Sequence, residues 1–328
     1  MKFLRINKVL SCLDKDQKNS AVLLIFLMFV ASIAELFGLG MVILIINSFF
    51  EIENNLNLPF GILSGFNFHS INTILYVLVA VFTLKYLIFV LVSFLEANFM
   101  ATINHRFAYK MFKNFLYRDP SNLLNKNSAE YLRNFTDEVK STHTFYNSII
   151  KIILDFIIFV FFMIFLLIYN PIVTFSVILF FISLTLAYFF FIKDRVMKWS
   201  ITGLANKKKR IQSVNESFSA IKFIKILSNE DFFLNKFKIQ NFSLSKIGEN
   251  MMFLQQFPKH TLEYILFLSI ILLIYFANKQ FSSDQIIQFL AVYTLASFRL
   301  IPIINKILLN TQNLRFTTPS FEKLYTEL

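Results

Sequence analysis

YNSIIKIILDFIIFVFFMIFLLIY, residues 146–169, runs through Asn170 into PIVTFSVILFFISLTLAYFFFI, residues 171–192. A bilayer hydrocarbon core of about 30 Å is crossed by roughly 20 apolar helical residues. Each half of this stretch meets that length. The first carries only Lys151 and Asp155 as charges and the second carries none. The link Tyr169-Asn170-Pro171 leaves room only for a tight turn. Pro171 has no N–H to lose and suits the first turn of the following helix. The pair therefore predicts two membrane spans joined by a hairpin.

Four further stretches have the same character: 21–50, 71–95, 252–277 and 286–309. The first is too long for the apolar core of a signal peptide and lacks a small-residue cleavage pattern, so it reads as a retained span. The expected fold is an all-α membrane protein with six transmembrane helices. Composition agrees, with 56% hydrophobic and 16% charged residues, against about 45–50% and about 25% in soluble domains. The single Cys12 excludes an internal disulfide. The four histidines (His69, His105, His143, His260) are scattered without zinc-ligand spacing.

The net charge of +12 raises nucleic-acid binding for a soluble protein, but here its distribution decides. Lys and Arg number five in 1–20, seven in 101–142, twelve in 193–250 and two after 310. The alternate connections hold none in 51–70, none at the 169–171 turn, and Lys279 between the fifth and sixth spans. Cytoplasmic loops carry the Lys/Arg excess. Both termini are thus expected inside, with no nucleic-acid role needed.

The two basic connections are long and keep a helical apolar period, Phe107/Met111/Phe115 in one and Phe232/Phe233/Phe237 in the other. They predict two cytoplasmic helical hairpins, 96–145 and 193–251. In the first, Arg118-Asp119-Pro120 stops a helix and Asn127-Ser128-Ala129-Glu130 reads as a capping box. A short element across the tip, 120–126, lies between. In the second, Ala220 to Leu227 alternates basic and apolar residues before Ser228-Asn229-Glu230 restarts a helix. Residues 1–20, with an apolar stripe from Phe3 to Leu13 among Lys2, Arg5, Lys8 and Lys15, predict an interfacial elbow helix.

Ionisable side chains at membrane depth are costly and mark function or a need for pairing. Glu35 and Lys85 fall near mid-span. Lys151, Asp155, Lys259, Glu263, Arg299 and Lys306 fall toward the cytoplasmic half. Lys151/Asp155 and Lys259/Glu263 are each four residues apart and can pair along their own helices. Lys306 reads as an anchor at the inner interface. Lys85 and Arg299 have no partner on their own helix. Glu35, Lys85, Lys151, Lys259 and Arg299 form a candidate substrate cavity whose cationic excess suits an anionic head group.

Six spans, internal termini, an elbow helix and two long hairpins resemble the transmembrane domain of type I ABC exporters. Within them the chain looks most like the bacterial lipid-linked oligosaccharide flippases (the PglK group). The resemblance rests on the run from Lys126 to Arg133 with Thr136-Asp137-Glu138-Val139, on Lys222-Phe223-Ile224-Lys225 and on Asn229-Glu230-Asp231. It extends to Pro258-Lys259 with Glu263, Phe298-Arg299-Leu300-Ile301-Pro302 and Ala34-Glu35-Leu36-Phe37. It implies that the hairpin tips couple to an ATPase through Leu123, Leu124, Asn127 and Glu130 in the first and Phe223, Ile224 and Lys225 in the second. It also implies a transmembrane domain over 21–315, a tail over 316–328 leading toward a nucleotide-binding domain, a homodimer or heterodimer, and a bacterial inner-membrane location.

The six glycines (Gly38, Gly40, Gly61, Gly65, Gly203, Gly248) cannot supply a GxxxxGK[ST] phosphate loop, and no LSGGQ run occurs. The chain is therefore expected not to be an enzyme itself. It is expected to hold no cofactor, with ATP and Mg²⁺ bound by a nucleotide-binding partner. A different cargo (drug, peptide or lipid), or a non-transporting regulatory subunit, stays open at this point. A membrane enzyme of glycan assembly would need clustered carboxylates or histidines at one membrane face, which the sequence lacks.

Overall fold

A computed structural model of the chain describes residues 14–49, 71–117, 137, 139–169, 171–277 and 283–327. The elements among these residues are helices: α1 Lys15–Phe49, α2 Ile71–Leu116, α3 Val139–Tyr169, α4 Pro171–Ser219, α5 Ile221–Ile226, α6 Glu230–Ala277 and α7 Ser283–Glu327. Each of the six apolar stretches falls within one long helix, residue 50 at the end of the first lying outside the described residues. At about 1.5 Å per residue, the 46 residues of α2 make a rod of roughly 70 Å, well beyond a bilayer core of about 30 Å.

Three segments are long and apolar enough to cross a membrane among the described residues: Lys15–Gly38, Leu75–Leu116 and Val139–Ile168. The side chains of 171–191 lie outside that description, as do many in 266–296. Residues 1–13, which hold most of the expected elbow, lie outside it too. So does the first hairpin tip, with Leu123, Leu124, Asn127 and Glu130.

Helix boundaries follow local chemistry. Helix α4 starts at Pro171, where proline's missing N–H is one the first turn leaves unpaired anyway. Helix α6 opens with Glu230 and Asp231, which complement the positive end of its dipole. Between α5 and α6 the chain reverses at Ser228, whose φ of 48° is left-handed. The Asn229 N–H then donates to Ile224 O at 3.1 Å. The sequence reading of a break followed by a restart at Glu230 agrees with this turn.

The chain divides into two compact units. One contains residues 1–99, 151–185 and 258–307, and the other contains 100–150, 186–257 and 308–328. In the first unit α3 buries Leu154, Ile158, Phe162 and Phe165 at a spacing that lines one helical face. Phe161 meets Phe29 of α1 edge to face, ring centroids 4.9 Å apart. The outward faces are equally apolar, with Tyr76, Val79, Leu87 and Phe94 of α2 and Phe156 and Ile164 of α3 exposed. Water does not tolerate such a surface at this extent; lipid does.

The second unit is held by aromatic and polar contacts. Phe145 of α3 stacks on Phe321 of α7 with centroids 4.2 Å apart and planes 6° from parallel, and Tyr146 abuts the same ring edge to face. Segment 316–328, expected as a tail, thus continues α7 through Glu327, with Phe321 and Leu324 buried. Val196, Met251 and Leu254 form a second cluster against Trp199 and Phe316. The Ser200 hydroxyl donates to Phe316 O. A cavity of about 390 Å³ borders that cluster, lined by Gly203, Lys207, Arg210, Gly248, Met251 and Asn313 among others.

Pro258 lies inside α6. Having no N–H, it leaves the carbonyl four residues earlier, Leu254 O, without its helical donor. The Gln312 side-chain amide of α7 fills that place, donating to Leu254 O at 3.3 Å. Beside it, Gln255 Nε2 donates to Asn313 Oδ1 at 3.0 Å.

Candidate functional site

In the first unit three ionisable side chains from three helices converge. Glu35 of α1 is 4% exposed and Lys85 of α2 is 8% exposed. Lys85 Nζ lies 3.4 Å from Glu35 Oε1, and Arg299 Nη1 of α7 lies 3.0 Å from that same oxygen. One carboxylate therefore serves two cations, and the cluster keeps one net positive charge. The sequence placed these residues together as a cavity but found no partner for Lys85 or Arg299 on their own helices. Their shared partner comes from α1, a pairing that helical spacing cannot show.

The two cations differ in surroundings. Lys85 also faces the rings of Phe82 and Phe89, with Nζ 5.3 and 5.8 Å from their centroids, so aromatic faces add to its stabilisation. Arg299 is half-exposed, its side chain 45% accessible. A guanidinium carries five N–H donors, and the bond to Glu35 needs only part of that set. A Cβ on Gly38 would touch the Phe82 ring at 3.4 Å, so α1 and α2 approach closely one turn from the cluster.

The other two expected cavity residues are placed differently. Lys151 Nζ lies 3.6 Å from Glu96 Oε1 of α2, a partner the sequence reading did not name. Its only signal was a lone carboxylate at the end of an apolar run. Lys259 is exposed. The expected i,i+4 pairing of Glu263 with Lys259 gives way to His260, whose Nδ1 lies 3.6 Å from Glu263 Oε2. At i+3 the imidazole reaches the carboxylate while the longer lysine chain extends outward.

At the second hairpin tip, α5 turns Phe223 outward, 68% exposed, and buries Ile224 at 5%. Lys225 Nζ donates to Glu230 Oε1 at 2.9 Å. That bond, with a backbone N–H at the start of α6, holds the Glu230 carboxyl below its ordinary range. Of the three residues expected to couple, Phe223 presents itself, Ile224 anchors the tip, and Lys225 braces the turn. No group of three or more potential metal-ligating side chains occurs among the described residues.

Long helices with exposed apolar faces and a buried cluster of ionised side chains among them are the features of a membrane domain. The family model of the ABC transporter transmembrane region matches residues 18–301. The chain belongs to this family. As an ABC transporter transmembrane region it is a multi-pass membrane protein and a membrane-transport component, and such regions normally pair with nucleotide-binding domain partners. The matched residues contain Glu35, Lys85, Lys151, Lys259 and Arg299 together with α5, so both candidate sites lie within the family's own boundaries.

Proposed function

We propose that this chain is the permease half of an ATP-driven type I exporter that moves a lipid-linked oligosaccharide, or another lipid with an anionic head group, across the bacterial inner membrane. The Glu35–Lys85–Arg299 cluster carries this reading. Two cations against one carboxylate leave a net positive charge at membrane depth, where charge is kept only for a purpose. Arginine's planar fork matches phosphate oxygens. A neutral drug or peptide cargo gives no reason for that excess.

Six spans with both termini inside, and two basic cytoplasmic hairpins, complete the proposed architecture. The tips around Leu123, Leu124, Asn127 and Glu130 and around Phe223, Ile224 and Lys225 would dock on nucleotide-binding domains. ATP and Mg²⁺ would be held by those nucleotide-binding domains, since residues 1–328 carry no phosphate loop. A dimer of transmembrane regions would complete the pathway. Within it, Arg299 and Lys85 attract the head group from the inner leaflet and the apolar faces accommodate its tail.

The test is translocation in proteoliposomes containing the chain and a nucleotide-binding partner. A prenyl-diphosphate-linked oligosaccharide is compared with the same glycan on an uncharged prenyl carrier. ATP-dependent movement of the charged form alone is expected, lowered at least tenfold by Arg299→Ala. Equal movement of both forms, or no effect of Arg299→Ala and Lys85→Ala, would discard the anionic-cargo reading.

A further inference from the structure

Glu35 is costly where it stands. A carboxylate 4% exposed at membrane depth needs one positive partner to be neutralised, and it has two. Both point at a single oxygen, Lys85 Nζ at 3.4 Å and Arg299 Nη1 at 3.0 Å from Oε1. The arrangement is redundant for stability. It makes sense as an exchange in which one cation can leave while the other keeps Glu35 neutralised.

The surroundings say which cation leaves. The Lys85 side chain is 10% exposed and packed against the Phe82 and Phe89 rings. The Arg299 side chain, at 45% exposed, lies on the accessible side. Its neighbours Leu300 and Ile301 are buried, so the backbone beneath it is anchored while the side chain extends from an exposed position. Of the two cations Arg299 is thus the accessible one and Lys85 the enclosed one.

We propose that Glu35 is an internal counter-ion held in competition with the cargo: the anionic head group takes the place of the Glu35 carboxylate on Arg299, and Lys85 remains on Glu35 as its fixed partner. Arg299 is then the cargo-contacting residue, while Glu35 and Lys85 are positioning residues. The competition prevents the site from becoming a trap. An unopposed arginine in low dielectric would bind a diphosphate tightly and release it slowly. A resident carboxylate weakens the bound state and returns to the guanidinium as cargo departs. This inference rests on the anionic-cargo reading above and adds to it a defined order of partners.

The experiment measures equilibrium binding of a fluorescent long-chain prenyl diphosphate to the purified full chain in zwitterionic nanodiscs, with the corresponding prenyl alcohol as control. Arg299→Gln is expected to weaken diphosphate binding about tenfold, equivalent to about 1.4 kcal/mol, without changing alcohol binding. Lys85→Gln is also expected to weaken it, because Glu35 then has only Arg299 to hold. Adding Glu35→Gln to Lys85→Gln removes the competitor and restores affinity to the wild-type value or tighter. Adding Glu35→Gln to Arg299→Gln gives the same net charge but leaves only the sealed lysine, and affinity stays low.

Rescue by Glu35→Gln in both backgrounds would mean that net charge alone matters, and rescue in neither would mean that Glu35 is only structural. Either result overturns the counter-ion assignment while leaving the cargo reading intact. Unchanged diphosphate binding in Arg299→Gln removes the cargo reading itself. Should the Glu35→Gln/Arg299→Gln protein not fold, the rescue of Lys85→Gln still decides: without it the inference falls.

Discussion

The two units share five long helices, α2, α3, α4, α6 and α7, and are held by opposite means. In residues 1–99, 151–185 and 258–307 the apolar residues are everywhere, so apolar contact alone cannot specify which helix faces are neighbours. The Glu35 carboxylate, shared by Lys85 and Arg299, supplies that specification. In residues 100–150, 186–257 and 308–328 charge is abundant and mostly at the surface. Here the specifying contacts are the Phe145–Phe321 stack and the apolar cluster of Val196, Met251 and Leu254. The solvent explains the inversion. In lipid a polar contact is the rare and discriminating one, whereas in water the buried apolar contact takes that role.

The contrast breaks most sharply at Glu35. Glu35→Ala strands two cations, and the loss of one partner of a buried pair costs about 3–5 kcal/mol, read by equilibrium unfolding in mixed micelles. Converting Glu35 and Lys85 together to Met should recover most of that stability, because an apolar pair of similar volume removes the desolvation penalty. A small effect of the single substitution would mean that packing, not charge, orders the first unit.

Next in size is the carbonyl at Leu254. Gln312→Leu takes the cross-helix donor away from this buried carbonyl, at about 1–3 kcal/mol. In a Pro258→Ala background the restored N–H can take the bond, so the same substitution should cost distinctly less. A double-mutant cycle measures this coupling, and additive costs would refute the assigned role of Gln312. Phe145→Leu then tests the second unit's aromatic contacts. It keeps apolar volume and loses the ring pair, for an expected loss of about 0.5–1.5 kcal/mol.

Two smaller effects sharpen the picture. A Cβ on Gly248 of α6 meets nothing within 4 Å, so Gly248→Ala should stabilise the second unit by about 0.5–1 kcal/mol through helix propensity. The smallest effect is the pH dependence of Glu216. The Lys236 ammonium at 2.6 Å, aided by the Gln212 amide at 2.7 Å, holds its carboxyl below the ordinary value of 4.5. Its contribution is therefore complete above the unfolded value and disappears as pH falls through the lower folded value. Because the pair is largely solvated, the loss between pH 6 and about pH 3 should stay within about 0.2–1 kcal/mol and should be absent in Glu216→Gln.

Much of this was legible in the sequence. The apolar stretches located the long helices because about 20 residues of hydrocarbon-compatible side chain have few alternatives to a helix. Pro171 and Glu230 marked helix starts for local reasons that need no neighbours. Glu35, Lys85 and Arg299 were identifiable as exceptional, since each is a charge inside an apolar run. Their pairing was not, because the partners come from three different helices and no period links them. The reading of the two hairpins also diverged for a tertiary reason. Phe107 and Met111 are buried, whereas Phe232 and Phe237, with the same helical period, are 58% and 38% exposed. A period fixes which residues share a face and leaves open what that face meets.

Pro258 gives α6 an articulation point. Tilting the helix there meets one rung fewer of its own ladder, because proline has already removed it. What such a tilt works against instead is a pair of side-chain bonds to α7, Gln312 to Leu254 O and Gln255 to Asn313.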